Sequence, residues 1–146
     1  MRLTIRTNLA MRTLMFCAVH EGRMVRKHEI ARACNASENH LGVVVNMLGQ
    51  AGYIETARGR NGGIRLAREP SGVSVGEVFR LFEATVPFAE CFGAVDNHCP
   101  LTCACRLRGT LGRAVEAFYA ALDGVSLADL VEGNDELAAL LALDPA

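Results

Sequence analysis

The sequence predicts a mostly α-helical fold with a small β-hairpin. Three observations predict it. Apolar residues recur at helical spacing over most of the chain, the period becomes strand-like only in "YIETA" and "GIRLA", and "RGRNG" between these two carries the turn-forming Asn61-Gly62 pair. With 146 residues and 51% hydrophobic content, one cored domain with an added helical extension is the expected organisation.

Residues 8–20 read as a first helix, with Ala10, Met11, Leu14, Met15 and Ala18 on one face and Gly22 just beyond its end. A short second helix fits "KHEIARAC", 27–34. In "NASENHLGVVVNMLGQAG", Asn35 and Ser37 are turn or cap residues, and Leu41, Val44, Val45 and Leu48 keep helical spacing until Gly52 ends the run. The next two strands, joined by an arginine-bearing hairpin in which Asn61-Gly62 supplies positive φ angles, make a wing. Ser74 followed by Glu77 has the form of a capping box opening a helix through "VGEVFRLFEA", which ends before Pro87.

Leu107, Leu111, Val115, Phe118 and Leu122 form an even apolar stripe along a long helix reaching Gly124, and such a stripe must bury itself against something. Ser126 with Asp129, then Asn134 and "ELAALLAL", predict small closing helices. The sum is a winged helix-turn-helix followed by a long helix.

Charge is unevenly spread behind a net value of -1. Residues 1–68 hold eleven of the fifteen Lys and Arg against four acidic residues, a balance of +7, whereas residues 69–146 carry a balance of -8. An anion would therefore bind the N-terminal half. Ten of those eleven cations are arginines, suited to bidentate phosphate and base contacts, although the arginine bias of a high-GC genome is a competing explanation.

A helix-turn-helix places the start of its second helix in the major groove, so base contacts are expected from Ser37, Asn39 and His40, beside Glu38. Asn is the type that bonds an adenine edge bidentately. Arg58 and Arg60 flank Gly59 in the hairpin, placed for phosphates or a narrow minor groove.

The apolar start "LAMRTLMFCAV" is broken by Arg12, and no later run approaches the roughly 18 apolar residues of a membrane span, so a bacterial-type cytoplasm is expected. In that reducing setting six cysteines are not a disulfide framework, and clustered thiols point to metal or redox chemistry. Cys17 and Cys34 fall in apolar helical patterns and read as core.

The other four lie in "CFGAVDNHCPLTCAC". Cys91, Cys99 and Cys105 are separated by seven and five residues, a spacing that wraps a cluster better than a single tetrahedral zinc ion. An iron-sulfur cluster is favoured over zinc and over free thiols. If Thr102 caps the long helix, Cys103 and Cys105 lie about 200° apart around it, so only one of them joins the site. Cys103 is then in line with the buried stripe as a packed or spare thiol, and Cys105 is the ligand; the inference fails if the helix starts after Cys105.

These features resemble the winged-helix iron-sulfur transcriptional repressors that include NsrR, IscR and RirA. "MRLTIRTNLAMRTLM", "ASENHLGVVVNMLGQAGYIETARGRNGGIRLA", the C-x7-C-x5-C spacing and "SLADLV" carry the resemblance in order over nearly the whole chain, most like NsrR. The resemblance implies a DNA-binding region at 1–85, a cluster-binding loop at 86–105, and a dimerisation helix with C-terminal helices at 106–146. It implies a homodimer on double-stranded operator DNA and a cluster, 4Fe-4S rather than 2Fe-2S, whose attack by nitric oxide releases the operator. RirA-like or IscR-like response to iron or cluster status is the alternative within the family, and a metal-free thiol redox repressor stands outside it.

Some NsrR members place a carboxylate from the partner chain as fourth ligand where this sequence has Asn8, leaving water, Cys103 or another group to fill that position. An enzyme or electron carrier is the rival class. Neither G-x-G-x-x-G nor a P-loop is present, and a carrier has no use for an arginine-bearing wing.

Overall fold

A computed structural model describes residues 3–142 apart from Ala94 and Asp96. Met1 and Arg2 of the opening motif and Leu143 of the "ELAALLAL" tail lie outside the described residues. The first helix, α1 (Ile5–Val19), begins three residues before the apolar pattern does. Thr4 caps it by accepting the Thr7 N–H at 3.3 Å.

Thr4 and Thr7 are themselves tied to the far end of another helix. The Glu83 carboxylate oxygen accepts the Thr4 N–H at 2.8 Å, the Thr4 hydroxyl at 3.0 Å, and the hydroxyl of the fully buried Thr7. Farther along, the buried Thr13 hydroxyl donates to the Leu9 carbonyl at 2.8 Å. Burial extends beyond the predicted stripe: Leu9, Phe16 and Cys17 are enclosed with Ala10, Met11, Leu14 and Ala18, while Met15 is only partly covered. Burial pushes the Cys17 thiol up to about 12, with nearby Cys34 adding to it, so both behave as core residues.

Next come α2 (Lys27–Ala33) and α3 (Glu38–Gln50), joined by a turn in which Asn35 takes φ 48°. Asn tolerates that left-handed conformation better than other side chains. Ser37 caps α3 by accepting the His40 N–H at 3.2 Å, and Leu41, Val44 and Leu48 seat the helix on the core. At its other end, Arg68 donates to the Gly52 and Ala51 carbonyls at 2.9 and 3.1 Å while lying over the Tyr53 ring.

Strands β1 (Ile54–Ala57) and β2 (Gly63–Leu66) pair antiparallel, Ile54 opposite Leu66 and Ala57 opposite Gly63. The turn differs from expectation. Its left-handed residue is Gly59, φ 99°, and Asn61-Gly62 supplies no positive φ. Gly62 is needed for space, because a Cβ there would lie 2.2 Å from the Ala57 carbonyl oxygen. Gly63 similarly lets β2 approach Val25, which exchanges backbone bonds with Ile64 at 2.9 and 2.8 Å.

Helix α4 (Val75–Glu83) is capped by Ser74, which accepts the Glu77 N–H at 3.4 Å. The Glu77 side chain does not complete the expected box; it accepts the Tyr53 hydroxyl at 3.4 Å instead. The long α5 (Arg106–Asp123) packs on α4 at its C-terminal end through Phe79 with Phe118 and the bidentate pair Arg80–Asp123. No residue of α5 is buried: Leu107 is 63% exposed, and Leu111, Val115, Phe118 and Leu122 are half-buried. The stripe is therefore still largely uncovered within one chain.

Helices α6 (Leu127–Val131) and α7 (Asp135–Leu141) return to the N-terminal core. Ser126 and Asp129 form the expected capping box, and Asn134 accepts the Leu137 N–H at 3.1 Å. Val75 and Leu127 fasten this return by backbone bonds to Val125 and Val73, both 2.9 Å. Among the described residues no helix is long and apolar enough to cross a membrane.

The Glu83 clamp is testable by stability. Glu83→Ala is expected to lower the unfolding free energy by about 1–3 kcal/mol, the usual cost of stranding enclosed donors. Glu83→Gln, which keeps an acceptor, loses less. Urea denaturation followed by circular dichroism reads both, and an alanine variant as stable as the parent would show that the clamp contributes nothing.

Candidate nucleic-acid interface and cysteine loop

The first turn of α3 stands in solvent. Ser37, Glu38, Asn39 and His40 are all exposed. Ser37 spends its hydroxyl on the helix cap, whereas the Asn39 and His40 side chains have no hydrogen-bond partner among the described residues. The Lys27 ammonium lies 3.6 Å from the Glu38 carboxylate and offsets the one charge in this turn that would repel a phosphate.

Arg12 of α1 donates to the Cys34 carbonyl at 3.0 Å and so fastens the turn between the two helices. A cleft of about 360 Å³ opens there, lined by Ile5, Asn8, Arg12, Asn35, Ser37 and His40. Asn8, singled out as a candidate ligand, thus faces the same cleft as the start of α3.

In the wing, Arg58 and Arg60 are exposed and neither guanidinium has a protein partner among the described residues. A third arginine, absent from the sequence reading, touches the wing. Arg26 donates to the Gly59 carbonyl at 3.2 Å and also to the Arg60 carbonyl. No local pattern announces a contact between residues 33 and 34 apart in the chain.

The cysteine loop is built from turns and side-chain bonds. Cys91 sits in a 3-10 turn, Glu90–Phe92, whose Glu90 carboxylate accepts the His98 N–H at 2.8 Å. Asn97 accepts the Cys99 N–H at 3.1 Å. Arg108 ties the two ends together: its backbone N–H donates to the Cys105 sulfur at 3.4 Å, and its guanidinium to the Cys91 carbonyl at 3.0 Å.

The long helix begins at Arg106 with Cys105 as its cap, so the condition under which the helix-face argument fails is met. Thr102 does not cap it, because its hydroxyl donates to the Cys99 carbonyl at 2.8 Å and two turns carry the chain through residues 99–104. Cys103 is consequently exposed and is not part of a buried stripe. Cys91, Cys99 and Cys105 are each half-buried.

Among the described residues no three Cys, His, Asp or Glu side chains gather closely enough to hold a metal ion. Three half-buried cysteines on an irregular loop are donors of the kind an iron-sulfur group takes, and Arg108 bridges the Cys105 sulfur and the Cys91 backbone carbonyl. Holding such a group requires the loop to close so that Cys91, Cys99 and Cys105 converge.

Comparison with known proteins agrees with this architecture. Residues 3–133 match the Rrf2 family, described as iron-dependent transcriptional regulator. The HTH-type transcriptional regulator NsrR of Geobacillus kaustophilus is 47% identical over 142 residues, 97% of each chain. Among solved structures, IscR of T. potens superposes with a TM-score of 0.73 over 93% of this chain and 90% of that one, at 24% identity. CymR, the global cysteine regulator of B. subtilis, gives 0.70 over 90% and 96%, at 23% identity. At such identities the two structures speak to fold alone, and they share the helical body with its hairpin wing. On sequence and fold together, the chain belongs to the Rrf2 family of winged-helix transcriptional regulators and is NsrR-like within it.

Proposed function

We propose that the protein is a homodimeric repressor whose binding to operator DNA is controlled by nitric oxide through an iron-sulfur cluster on Cys91, Cys99 and Cys105. The observation that carries the DNA half is the pairing of an exposed α3 start, Asn39 and His40, with wing guanidinia at Arg58 and Arg60 that have no protein partner among the described residues. In this reading α3 enters the major groove, Asn39 and His40 meet base edges or phosphate, and the wing arginines meet the backbone. The half-exposed stripe of α5 supports pairing with a second copy.

When bound, a cluster would supply iron that reacts with nitric oxide. The chain's own residues provide a route from that loop to the reading head. Arg108 joins both ends of the loop to the start of α5, Arg80 and Phe79 join the far end of α5 to α4, and Glu83 joins α4 to the start of α1. Asn8, one turn into α1, faces Ser37 and His40 across the cleft. Release of the loop would therefore bear on the placement of α3.

A second reading, response to iron supply, is favoured by the family's description as iron-dependent. Protein purified without oxygen separates the two. Iron and sulfide should be present, and nitric oxide should release the operator at a free-iron level that by itself leaves both cluster and binding intact; release on lowering free iron without nitric oxide favours the iron reading. Colourless protein that binds equally well before and after nitric oxide would sink the sensing proposal. Cys91→Ala, Cys99→Ala and Cys105→Ala should each lose the iron, while Cys103→Ala keeps it; iron loss in the Cys103 variant would make Cys103 the fourth ligand.

The wing has its own test. Arg58→Ala should weaken operator binding and reduce the slope of log affinity against log salt by about 0.9, one phosphate contact. An unchanged slope measured by fluorescence anisotropy would remove Arg58 from the interface.

A further inference from the structure

We infer that Arg26 is a positioning residue for DNA binding: it fixes the tip of the wing so that Arg58 and Arg60 are presented to the phosphate backbone in one geometry. The inference rests on the wing reading above and adds a residue to it. Arg26 immediately precedes α2, and the pair Val25–Arg26 holds the hairpin at two heights. Val25 holds strand β2 one residue from the turn, exchanging backbone bonds with Ile64 at 2.9 and 2.8 Å. Arg26 holds the tip, with separate guanidinium nitrogens donating to the Gly59 carbonyl at 3.2 Å and to the Arg60 carbonyl.

The Arg26 backbone is fixed in turn. Its N–H donates to a Glu29 carboxylate oxygen at 2.6 Å, and the other oxygen of that carboxylate takes the Arg23 guanidinium at 2.6 Å. The fork is thus anchored at its base before it reaches the wing.

The chemistry of the contact argues for a role in binding. A five-residue turn, residues 58–62, with left-handed Gly59 as its second residue, has one internal backbone bond, Gly62 N–H to Gly59 carbonyl at 3.1 Å, so the Arg26 bonds add substantially to what orders it. The planar guanidinium bridges the Gly59 and Arg60 carbonyls with two donors in a fixed fork, whereas a lysine ammonium would offer rotating donors on a point-like head that do not set the spacing of the two carbonyls. Ordering the tip in advance removes part of the entropy cost otherwise met on binding.

The test uses the full chain and a duplex selected in vitro with the parent protein from a randomised library. Arg26→Met should weaken binding roughly three- to tenfold, the cost of ordering one or two interfacial groups. Its salt slope should stay that of the parent, since no phosphate contact is lost. In an Arg58→Ala, Arg60→Ala background the same substitution should have no further effect, because the groups it positions are gone. Arg26→Lys keeps the charge without the fork and should recover only part of the loss.

A slope reduced by about 0.9 in Arg26→Met would make Arg26 a direct phosphate contact and overturn the inference. So would full recovery with lysine, an undiminished effect in the double-alanine background, or parental affinity in both Arg26 variants. Urea midpoints taken alongside separate binding from folding; should the methionine variant not fold, the lysine variant carries the same cycle. If the double-alanine protein itself binds like the parent, the wing reading fails, and that result is distinct from an Arg26 failure in a working wing.

Discussion

The rest of the structure is arranged around one largely buried helix. From Thr7 to Ala18, α1 is buried except at exposed Asn8 and Arg12 and half-buried Met15, and it packs against α3, α4, α6 and the wing strand β2, so each of these elements takes its position from it. Full burial of Leu14 and Phe16 is worth about 1.5–3 kcal/mol apiece, enough to outweigh any local propensity. An enclosed helix must also satisfy its polar groups internally. Thr13 does so within α1, and Thr7 does so through the Glu83 carboxylate from the end of α4 together with the Thr4 hydroxyl.

The long helix obeys the opposite rule. None of α5 is buried, and its attachments are at its two ends: Asp123 with Arg80 at one, and the Cys105 cap with Arg108 at the other. Gly76 makes the first attachment close, since a Cβ there would fall 2.0 Å from an Asp123 carboxylate oxygen. The helix is fixed near its ends and carries a half-exposed apolar stripe between them. It also leaves that stripe for another surface.

What could be read from the sequence was what repeats locally. Helix α3 was legible because Ser37 and a 3.6-residue apolar period agree, and the hairpin because β-rich runs flank a glycine-rich turn. The roles of Gly59, Gly62 and Gly63 were not legible, since two of them are set by how near the Ala57 and Val25 carbonyls come. The start of α5 was misplaced because Thr102 has the chemistry of a cap, and only the folded loop shows its hydroxyl spent on Cys99. Arg26, Arg68 and Glu83 were missed for one reason: each joins a side chain to atoms 16 to 79 positions away, where periodicity carries no information.

The same long-range bonds explain how a basic and an acidic half coexist in one small body. At the wing tip Arg58 and Arg60 have no protein partner among the described residues and Arg26 holds backbone carbonyls, whereas Arg65 in β2 is paired with Glu55, so exposed positive charge is concentrated at the tip. On the other side, Asp123 is paired with Arg80, which also lies over the Tyr119 ring, and that pairing holds the Asp123 carboxyl below its usual range. In the C-terminal half that pairing holds α5 to α4; in the N-terminal half Arg23, Lys27 and Arg65 are paired with Glu29, Glu38 and Glu55, and Arg58 and Arg60 keep an exposed charge without a protein partner among the described residues. The division of charge along the sequence thus separates charge spent on holding α5 to α4 from charge left exposed at the wing tip.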